Sequence, residues 1–136
     1  MSELGHANSF RDLLVYRKSC IVTKEVFELS KAFPKEETFS LTDQVRRSSR
    51  SIGAQIAEAW AKRRYKRHFI SQLTDADGEQ LETQHWIDIA KDCGYLTSTR
   101  AAQLNSELSE IGRMLGSMIN KAEQFCGINE VESNNS

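Results

Sequence analysis

A dense group of basic side chains is the feature of this sequence with the clearest chemical use. Residues 46–68 hold eight lysines and arginines against a single acid, Glu58, which leaves a surplus of seven positive charges. Such side chains neutralise phosphates and release counterions, which gives salt-dependent binding with little sequence preference. Tyr65, inside the cluster, is suited to stacking on an unpaired base. We predict RNA, DNA or a nucleoprotein as the partner, with phosphate contacts from Arg46, Arg47, Arg50, Lys62, Arg63, Arg64, Lys66 and Arg67.

The same charges have a second interpretation that involves only protein. Residues 69–136 carry eleven acidic against four basic side chains, so the chain is polar by region although its net charge is only −1. A positive end on an acidic body suits the acidic surface of a neighbouring chain as well as a polyanion. A protein–protein adaptor that binds no nucleic acid is therefore the alternative function.

Acidic side chains at helical spacing raise the question of a metal site. Glu82 and His85 spell E-x-x-H, but di-iron bundles need that pair twice. Glu79 with Glu82, and Glu107 with Glu110, are spaced as in helical Mg²⁺-dependent nucleotide hydrolases. The last two lie on the flank of an amphipathic helix, as solvated charges do. We therefore predict no enzyme, no catalytic residue, no metal and no cofactor, and keep a carboxylate–metal nucleotide hydrolase as the less favoured alternative.

Composition and length bound the fold. A chain of 136 residues with 39% hydrophobic residues is long enough to bury one core without help from disulfides or metal ions. A single proline favours helices over turn-rich sandwiches and barrels. The chain lacks an apolar run of about 18 residues and begins without a signal-peptide pattern. Its three cysteines are widely spaced and indicate reduced thiols, so we predict a cytoplasmic protein.

Apolar periodicity predicts an all-α fold, an antiparallel up-down four-helix bundle spanning residues 8–126. The helices are expected at about 9–32, 41–62, 66–92 and 98–125. Residues 1–7 are predicted to be flexible and residues 127–136 to form a disordered tail. Ser40 with Asp43 resembles a capping box for helix two, Thr97 or Ser98 is expected to cap helix four, and Gly94 to end helix three.

Helices one and two carry more apolar and small surface than a lone bundle uses. Helix one has two apolar stripes about 150° apart; we assign the one that includes Phe10 and Cys20 to the core. Helix two has a row of small residues opposite its apolar stripe. We predict an oligomer interface made by the second stripe of helix one and by this row: Val15, Val22, Val26, Leu29, Phe33, Gly53, Ala54, Ala57 and Ala61.

Polar residues on the buried stripe of helix three leave two interpretations open. Gln80 and Gln84 form either a hydrogen-bonded layer inside the bundle or the lining of a space between subunits. Buried amides need partners in both cases. A satisfied layer inside the bundle is the favoured interpretation.

Three stretches of the chain resemble the bacterial 23S rRNA intervening-sequence proteins, also called four helix bundle proteins. They are FRDLLVYRKS, AFPKEETFSLTDQVRRSSRSIGAQIAEA and AKDCGYL. The likeness spans roughly residues 10–125, and F-P-x-E-E-x-(F/Y)-x-L-T-x-Q-(V/I)-R-R followed by S-I-x-x-x-I-A-E carries most of it. Gly53 stands where the family often has proline, and Ala59 where it often has glycine.

This resemblance implies an antiparallel four-helix bundle that assembles into a ring-shaped homopentamer, as known relatives do. A related branch, the accessory variability proteins of diversity-generating retroelements, assists a reverse transcriptase and binds nucleic acid through a basic surface. No catalytic activity is established for the family. The resemblance thus implies a non-catalytic scaffold whose partner is nucleic acid, a reverse transcriptase or another protein. Its motif positions, which look architectural apart from the two arginines, are Leu41, Gln44, Arg46, Arg47, Ile52, Ile56, Ala57 and Glu58.

Overall fold

The computed structural model describes residues 7–127, and these contain helices, turns and short links but no strand. The four long helices are α1 (Leu14–Ser30), α2 (Leu41–Ala61), α3 (Lys66–Asp92) and α4 (Ser98–Asn120). A short helix, α5 (Ala122–Cys126), follows α4, and 3₁₀ turns span Phe10–Asp12 and Lys35–Glu37. The predicted all-α class is confirmed. The predicted flexible start and disordered tail lie outside the described residues, apart from Ala7 and Gly127.

Contacts between neighbouring helices run in opposite chain directions, so the bundle is antiparallel. Thr23 Oγ1 in α1 donates to the Ser49 carbonyl in α2 at 3.0 Å. Arg46, earlier in α2, donates from Nε to Ser30 Oγ, later in α1, at 2.7 Å. The other three helix pairs show the same reversal. Ser48–Thr83 and Glu58–Gln72 join α2 to α3, and Gln84–Ser109 and Asp88–Asn105 join α3 to α4. Lys18–Glu110 and Glu25–Arg100 join α1 to α4.

The core is built by one stripe from each long helix. The stripe predicted on α2 is buried throughout: Leu41, Val45, Ser48, Ile52, Ile56 and Ala59. The stripe predicted on the last helix is buried too and continues through α5: Leu104, Leu108, Ile111, Leu115, Met118, Ala122 and Phe125. From α3, Phe69, Leu73, Ala76 and Ile87 complete the centre. Both stripe predictions are confirmed.

The chain enters α1 through a separate turn, whereas the sequence predicted one helix from residue 9. Ser9 Oγ accepts from the Arg11 amide at 3.2 Å, and Asp12 Oδ2 accepts from the Ser9 amide at 3.2 Å. This capping box closes a 3₁₀ turn on itself. Leu13 then adopts an extended conformation (ψ 131°) and is 1% exposed. Burial of this side chain breaks the helix before α1 begins.

The predicted oligomer interface on helix one is wrong for its valines. Val15, Val22 and Val26 are 0–1% exposed in the single chain, and Phe33 is 8% exposed, so they leave no surface for a second copy. Leu29 is half-buried. The valine stripe turns inward because α1 packs between α2 and α4, and its small β-branched side chains face the core at both contacts.

The other α1 stripe is correspondingly more accessible than predicted. Cys20, expected in the core, is exposed, and Tyr16 and Phe27 are half-buried. α1 and α2 approach closely here: a Cβ added to Gly53 would lie 3.2 Å from Ser19 Oγ and 3.4 Å from Tyr16 Cε1. The packing reason for this glycine is therefore a contact within one chain.

A polar layer links α3 and α4 inside the bundle, as favoured from the sequence. Gln84 Nε2 donates to Gln80 Oε1 at 2.8 Å and to Ser109 Oγ at 3.3 Å, and Gln80 Nε2 donates to Asp77 Oδ1 at 2.9 Å. Gln80 is 4% exposed. α4 comes close because residue 112 is glycine, so these amides form an internal layer of the chain.

Helix ends follow the predicted caps at two places and depart at a third. Thr97 Oγ1 accepts from the Arg100 amide at 3.1 Å, and Gly94 takes the left-handed conformation (φ 80°) after α3. Ser40 makes no capping hydrogen bond to α2. Its hydroxyl donates instead to Glu37 Oε1 at 2.7 Å, so the predicted capping box with Asp43 is wrong.

Candidate nucleic-acid interface

The eight predicted phosphate contacts fall into two groups at different levels of α2. Arg46, Arg47 and Arg50 lie on its first half, whereas Lys62 to Arg67 form the turn after its last residue. At a rise of about 1.5 Å per residue, Arg46 and Lys62 are about 24 Å apart along the helix. The structure therefore does not join all eight residues into one patch.

The first group is engaged with its own chain. Arg46 donates to Ser30 and lies over the Phe27 ring at 4.8 Å, with Arg50 over the same ring at 5.7 Å. Arg47 forms an ion pair with Asp43 at 3.8 Å, one helical turn away. Cation–π contacts do not neutralise the positive charge. They hold the side chains of Arg46 and Arg50 against α1, away from the turn after α2.

Three residues of the second group are also bound by neighbours. Lys62 Nζ donates to Gln72 Oε1 at 2.7 Å. Arg63 donates from Nε to the Trp60 carbonyl at 2.8 Å and stacks on the Trp60 ring at 3.5 Å. Burial lowers the pKa of Arg63, with Cys126 acting in the opposite direction.

Lys66 holds the start of α3 to the end of the bundle. Its Nζ lies 2.7 Å from Glu123 Oε1, and this contact lowers the pKa of Glu123. Glu123 is otherwise exposed to solvent. The pair therefore connects α3 to α5. Because Glu123 already neutralises Lys66 in part, an outside anion interacts with this lysine more weakly.

Arg64 and Arg67 are the accessible charges of the turn. Both are exposed, and neither side chain forms an ion pair or hydrogen bond with any residue of 7–127. Between them Tyr65 is 52% exposed, with its ring 5.8 Å from the ring of His68 in an edge-to-face arrangement. A cleft of about 430 Å³ is lined by Tyr65, Arg67, His68 and Ser71.

Sequence reasoning missed His68 and Ser71 as cleft residues. The spacing contained the signal, since His68 is three residues after Tyr65 and Ser71 four after Arg67 on one helical face. The cleft thus combines a cation, an exposed aromatic ring and two further polar side chains. Such a combination is able to hold a phosphate and stack a base.

The small residues predicted as an interface flank an open groove between α1 and α2. Gly53, Ala54 and Ala57 line it, while Ala61 is exposed beyond its end. Tyr16, Cys20 and Phe27 of α1 line its other side, together with Phe10 of the 3₁₀ turn before α1, and its volume is about 440 Å³. The predicted row of small residues therefore faces an accessible apolar groove.

The acidic candidates have partners or neighbours within the chain. Glu82 Oε2 accepts from Trp86 Nε1 at 3.0 Å, and Glu110 pairs with Lys18 at 3.2 Å. Burial and the charges of Glu82 and Asp75 raise the pKa of Glu79. Across the described residues, no three His, Cys, Asp or Glu side chains come together as a potential metal site.

Glu107 lies in an unusual position between α4 and α1. Its Oε2 is buried and accepts no hydrogen bond from the described residues. Burial and a hydrogen bond with the Glu25 carboxyl raise the pKa of Glu107, while Lys18 and Arg100 lower it. Arg100 Nη2 lies 2.8 Å from Glu25 Oε2. Glu107 and Glu25 thus form a pair of neighbouring acids that is flanked by Lys18 and Arg100.

Comparison with known proteins places the chain in a family. The sequence pattern of the 23S rRNA-intervening sequence protein family matches residues 11–117. The chain belongs to this family. A search of curated proteins found no match.

A solved relative supports the fold of this 23S rRNA-intervening sequence protein. It is a protein with unknown function from the S23 ribosomal protein family of Bacteroides thetaiotaomicron VPI-5482. The two chains are 31% identical with a TM-score of 0.70, covering 78% of this chain and 98% of the relative. The relative carries no assigned catalytic role, and its description agrees with a family whose function is unknown.

The family match extends over the helices that position the basic turn. Leu41, Ile52 and Ile56 of the motif are buried core residues, while Arg47 is exposed. None of the helices within residues 7–127 is long and apolar enough to span a bilayer.

Proposed function

We propose that this chain is a non-catalytic scaffold that forms a ring-like homo-oligomer, a homopentamer, and binds nucleic acid or a nucleoprotein partner. The binding surface is the turn between α2 and α3. The observation that carries the proposal is the pair of exposed arginines, Arg64 and Arg67, without an internal partner in the described chain, beside the exposed ring of Tyr65. The proposed compartment is the cytoplasm, in keeping with three free cysteines.

Arg64 and Arg67 are more readily available to a phosphate than Arg47 and Lys66, which are paired with acids. A cation already paired with Asp43 or Glu123 must give up that contact before it neutralises a phosphate. Arg64 and Arg67 have no such contact to lose, so each is able to displace a counterion at little cost. Tyr65 adds a stacking surface that every base fits, which favours unpaired strands.

Assembly is supported by apolar surface left open on α1. Ile21 is 60% exposed and lines a second cleft, between α1 and α4, with Leu29 and Arg100. The α1–α2 groove lies on the other side of the same helix. Apolar clefts on both sides of one helix are typical of a surface that another chain covers.

The test is a salt series of binding curves with labelled single-stranded RNA. A single strand loses about 0.7 in the slope of log K against log salt for each phosphate contact. An Arg64→Gln, Arg67→Gln double variant should therefore reduce the slope by about 1.4 for each bound copy. Tyr65→Ala should weaken binding at every salt concentration without changing the slope.

Lys91→Gln is the matched control, because it removes one positive charge at the far end of α3. It lies about 36 Å from Arg67 along the helix, from the rise of ~1.5 Å per residue, well beyond the Debye length of about 8 Å. Its slope should equal that of the wild type. An unchanged slope in the double variant, or no binding by the wild type at physiological salt, would reject the nucleic-acid proposal in favour of a protein adaptor.

A further inference from the structure

Phe39 is the most exposed large apolar side chain in the described chain, with 94% of its surface open to solvent. Leaving a phenylalanine in water forgoes the favourable free energy of burying a large apolar surface. It lies in the link between α1 and α2, directly before Ser40. The fold makes no use of this ring.

Hydrogen bonds hold the backbone of the link on both sides of Phe39. The Ser40 amide donates to the Glu37 carbonyl at 3.0 Å, and Thr38 Oγ1 donates to the Lys35 carbonyl at 2.7 Å. Glu37 also accepts from Tyr95 Oη at 2.9 Å, which ties the link to the loop before α4. A backbone that is ordered before binding loses less entropy when the side chain that it carries is bound.

The α1–α2 groove is suited to binding such a ring. Its lining is mostly apolar, with Tyr16 and Phe27 on one side and Gly53, Ala54 and Ala57 on the other. A volume of about 440 Å³ accommodates one aromatic ring with room for its neighbours. Phe39 does not fill the groove of its own chain, because the ring is almost fully exposed.

Charge on the two surfaces is complementary. Lys24 and Arg50 line the groove, and neither forms an ion pair with any described residue. Glu36 and Glu37 precede Phe39, and Glu36 is exposed without an ion pair in the same part of the chain. Hydrogen bonds from Ser40 and Tyr95 lower the pKa of Glu37, so this acid is ionised at neutral pH.

The geometry points to a contact between copies in which Phe39 of one chain inserts into the α1–α2 groove of the next. The inserted ring and the groove are different surfaces of one chain, so the contact is heterologous and each copy uses both. Contacts of this kind repeat from copy to copy and give a closed ring when the rotation between copies allows closure. The inference rests on the proposed assembly and specifies how it is made.

The first test compares Phe39→Ala with Leu81→Ala by native mass over a dilution series. Leu81, on α3, is 55% exposed and serves as a control for loss of an exposed apolar side chain. Loss of a central aromatic anchor typically weakens association by at least about 30-fold. Phe39→Ala should therefore dissociate at a concentration at least about 30-fold higher, with unchanged helix content, while Leu81→Ala should behave as the wild type.

The second test uses two defective variants together. Ala54→Trp fills the groove from an exposed position but keeps Phe39, whereas Phe39→Ala keeps the groove. Each alone should be monomeric at concentrations where the wild type assembles. A mixture should give a heterodimer and no ring, because it offers one intact insertion contact between unlike chains.

The outcomes separate this inference from the proposal beneath it. An assembled wild type with an equally assembled Phe39→Ala variant would overturn the insertion and leave the scaffold proposal standing. Failure of the two monomeric variants to form a dimer on mixing would do the same. A wild type that stays monomeric at every concentration would remove the assembly itself.

Discussion

Replacing Gly112 by alanine tests the close approach of α3 and α4. A Cβ at this position would lie 2.7 Å from Gln80 Nε2 and 3.1 Å from Asp77 Oδ1, closer than such atoms approach. Gln80 is buried and bonded to both Asp77 and Gln84, so moving it breaks a bond. A buried polar group without a partner costs about 1–3 kcal/mol, whereas alanine gains about 1 kcal/mol over glycine in a helix. The variant should lose roughly 0–2 kcal/mol of unfolding free energy.

Gly116→Ala is the matched control, one helical turn later in α4. A Cβ there meets nothing within 4 Å, so the variant should keep the full gain of about 1 kcal/mol. The two variants should then differ by about 1–3 kcal/mol. Urea denaturation followed by circular dichroism measures this difference, at several protein concentrations because assembly adds stability. Equal stabilisation of both variants would refute the idea that the polar layer holds α4 at a fixed distance.

Three further predictions concern the acid pair, the thiols and a cap. Burial and the neighbouring Glu25 raise the pKa of Glu107 above its ordinary value of 4.5. Folding therefore favours the protonated side chain, whose contribution to stability is complete below pH 4.5 and is lost as pH rises through the folded pKa. Glu107→Gln should therefore raise the unfolding free energy at neutral pH and flatten its decline with pH, as measured by urea titrations across pH. Burial raises the pKa of the Cys126 thiol, so an alkylating reagent should modify the exposed Cys20 and Cys93 before Cys126, as read by mass spectrometry. Thr97→Ala should cost about 1 kcal/mol in thermal unfolding by removing the α4 cap.

The sequence predicted α2 and α4 well because each carries one continuous apolar stripe. A single stripe leaves one choice of buried face, and Ile52 and Ile111 are buried as that choice requires. The polar layer was also predictable, since Gln80 and Gln84 interrupt the stripe of α3 at positions that have to be buried. Local periodicity was sufficient wherever only one face was apolar.

Helix α1 shows what apolar periodicity alone does not predict. It has two apolar stripes, and spacing reveals which residues share a face but not which face turns inward. The choice depends on how closely α2 approaches, which the Gly53 contact with Tyr16 sets. Val22 consequently lies in the core and Cys20 outside it, the reverse of the prediction. The start of α1 was missed for a similar reason, since burial of Leu13 decides where the helix begins.

The basic cluster was overestimated because charge counts ignore partners that are distant in sequence. Lys62 is held by Gln72, and Lys66 by Glu123, 57 residues later in the chain. Arg46 is fixed by Ser30. Such partners depend on the packing of α1, α3 and α5, so only the structure separates the arginines that are free from those that are not.

Arg64 and Arg67 alone would hold a polyanion weakly, so the proposed binding is coupled to the proposed assembly. Each copy that contacts two phosphates contributes only about 1.4 to the salt slope of a single strand. In a closed ring, equivalent residues of all copies lie on the same side of the assembly, so the ends that carry Arg64 and Arg67 face one strand together. After the first contact, each further one is intramolecular and occurs at a high effective concentration. We therefore expect affinity for a long strand to depend on Phe39, although that residue lies at the opposite end of α2 from the arginines.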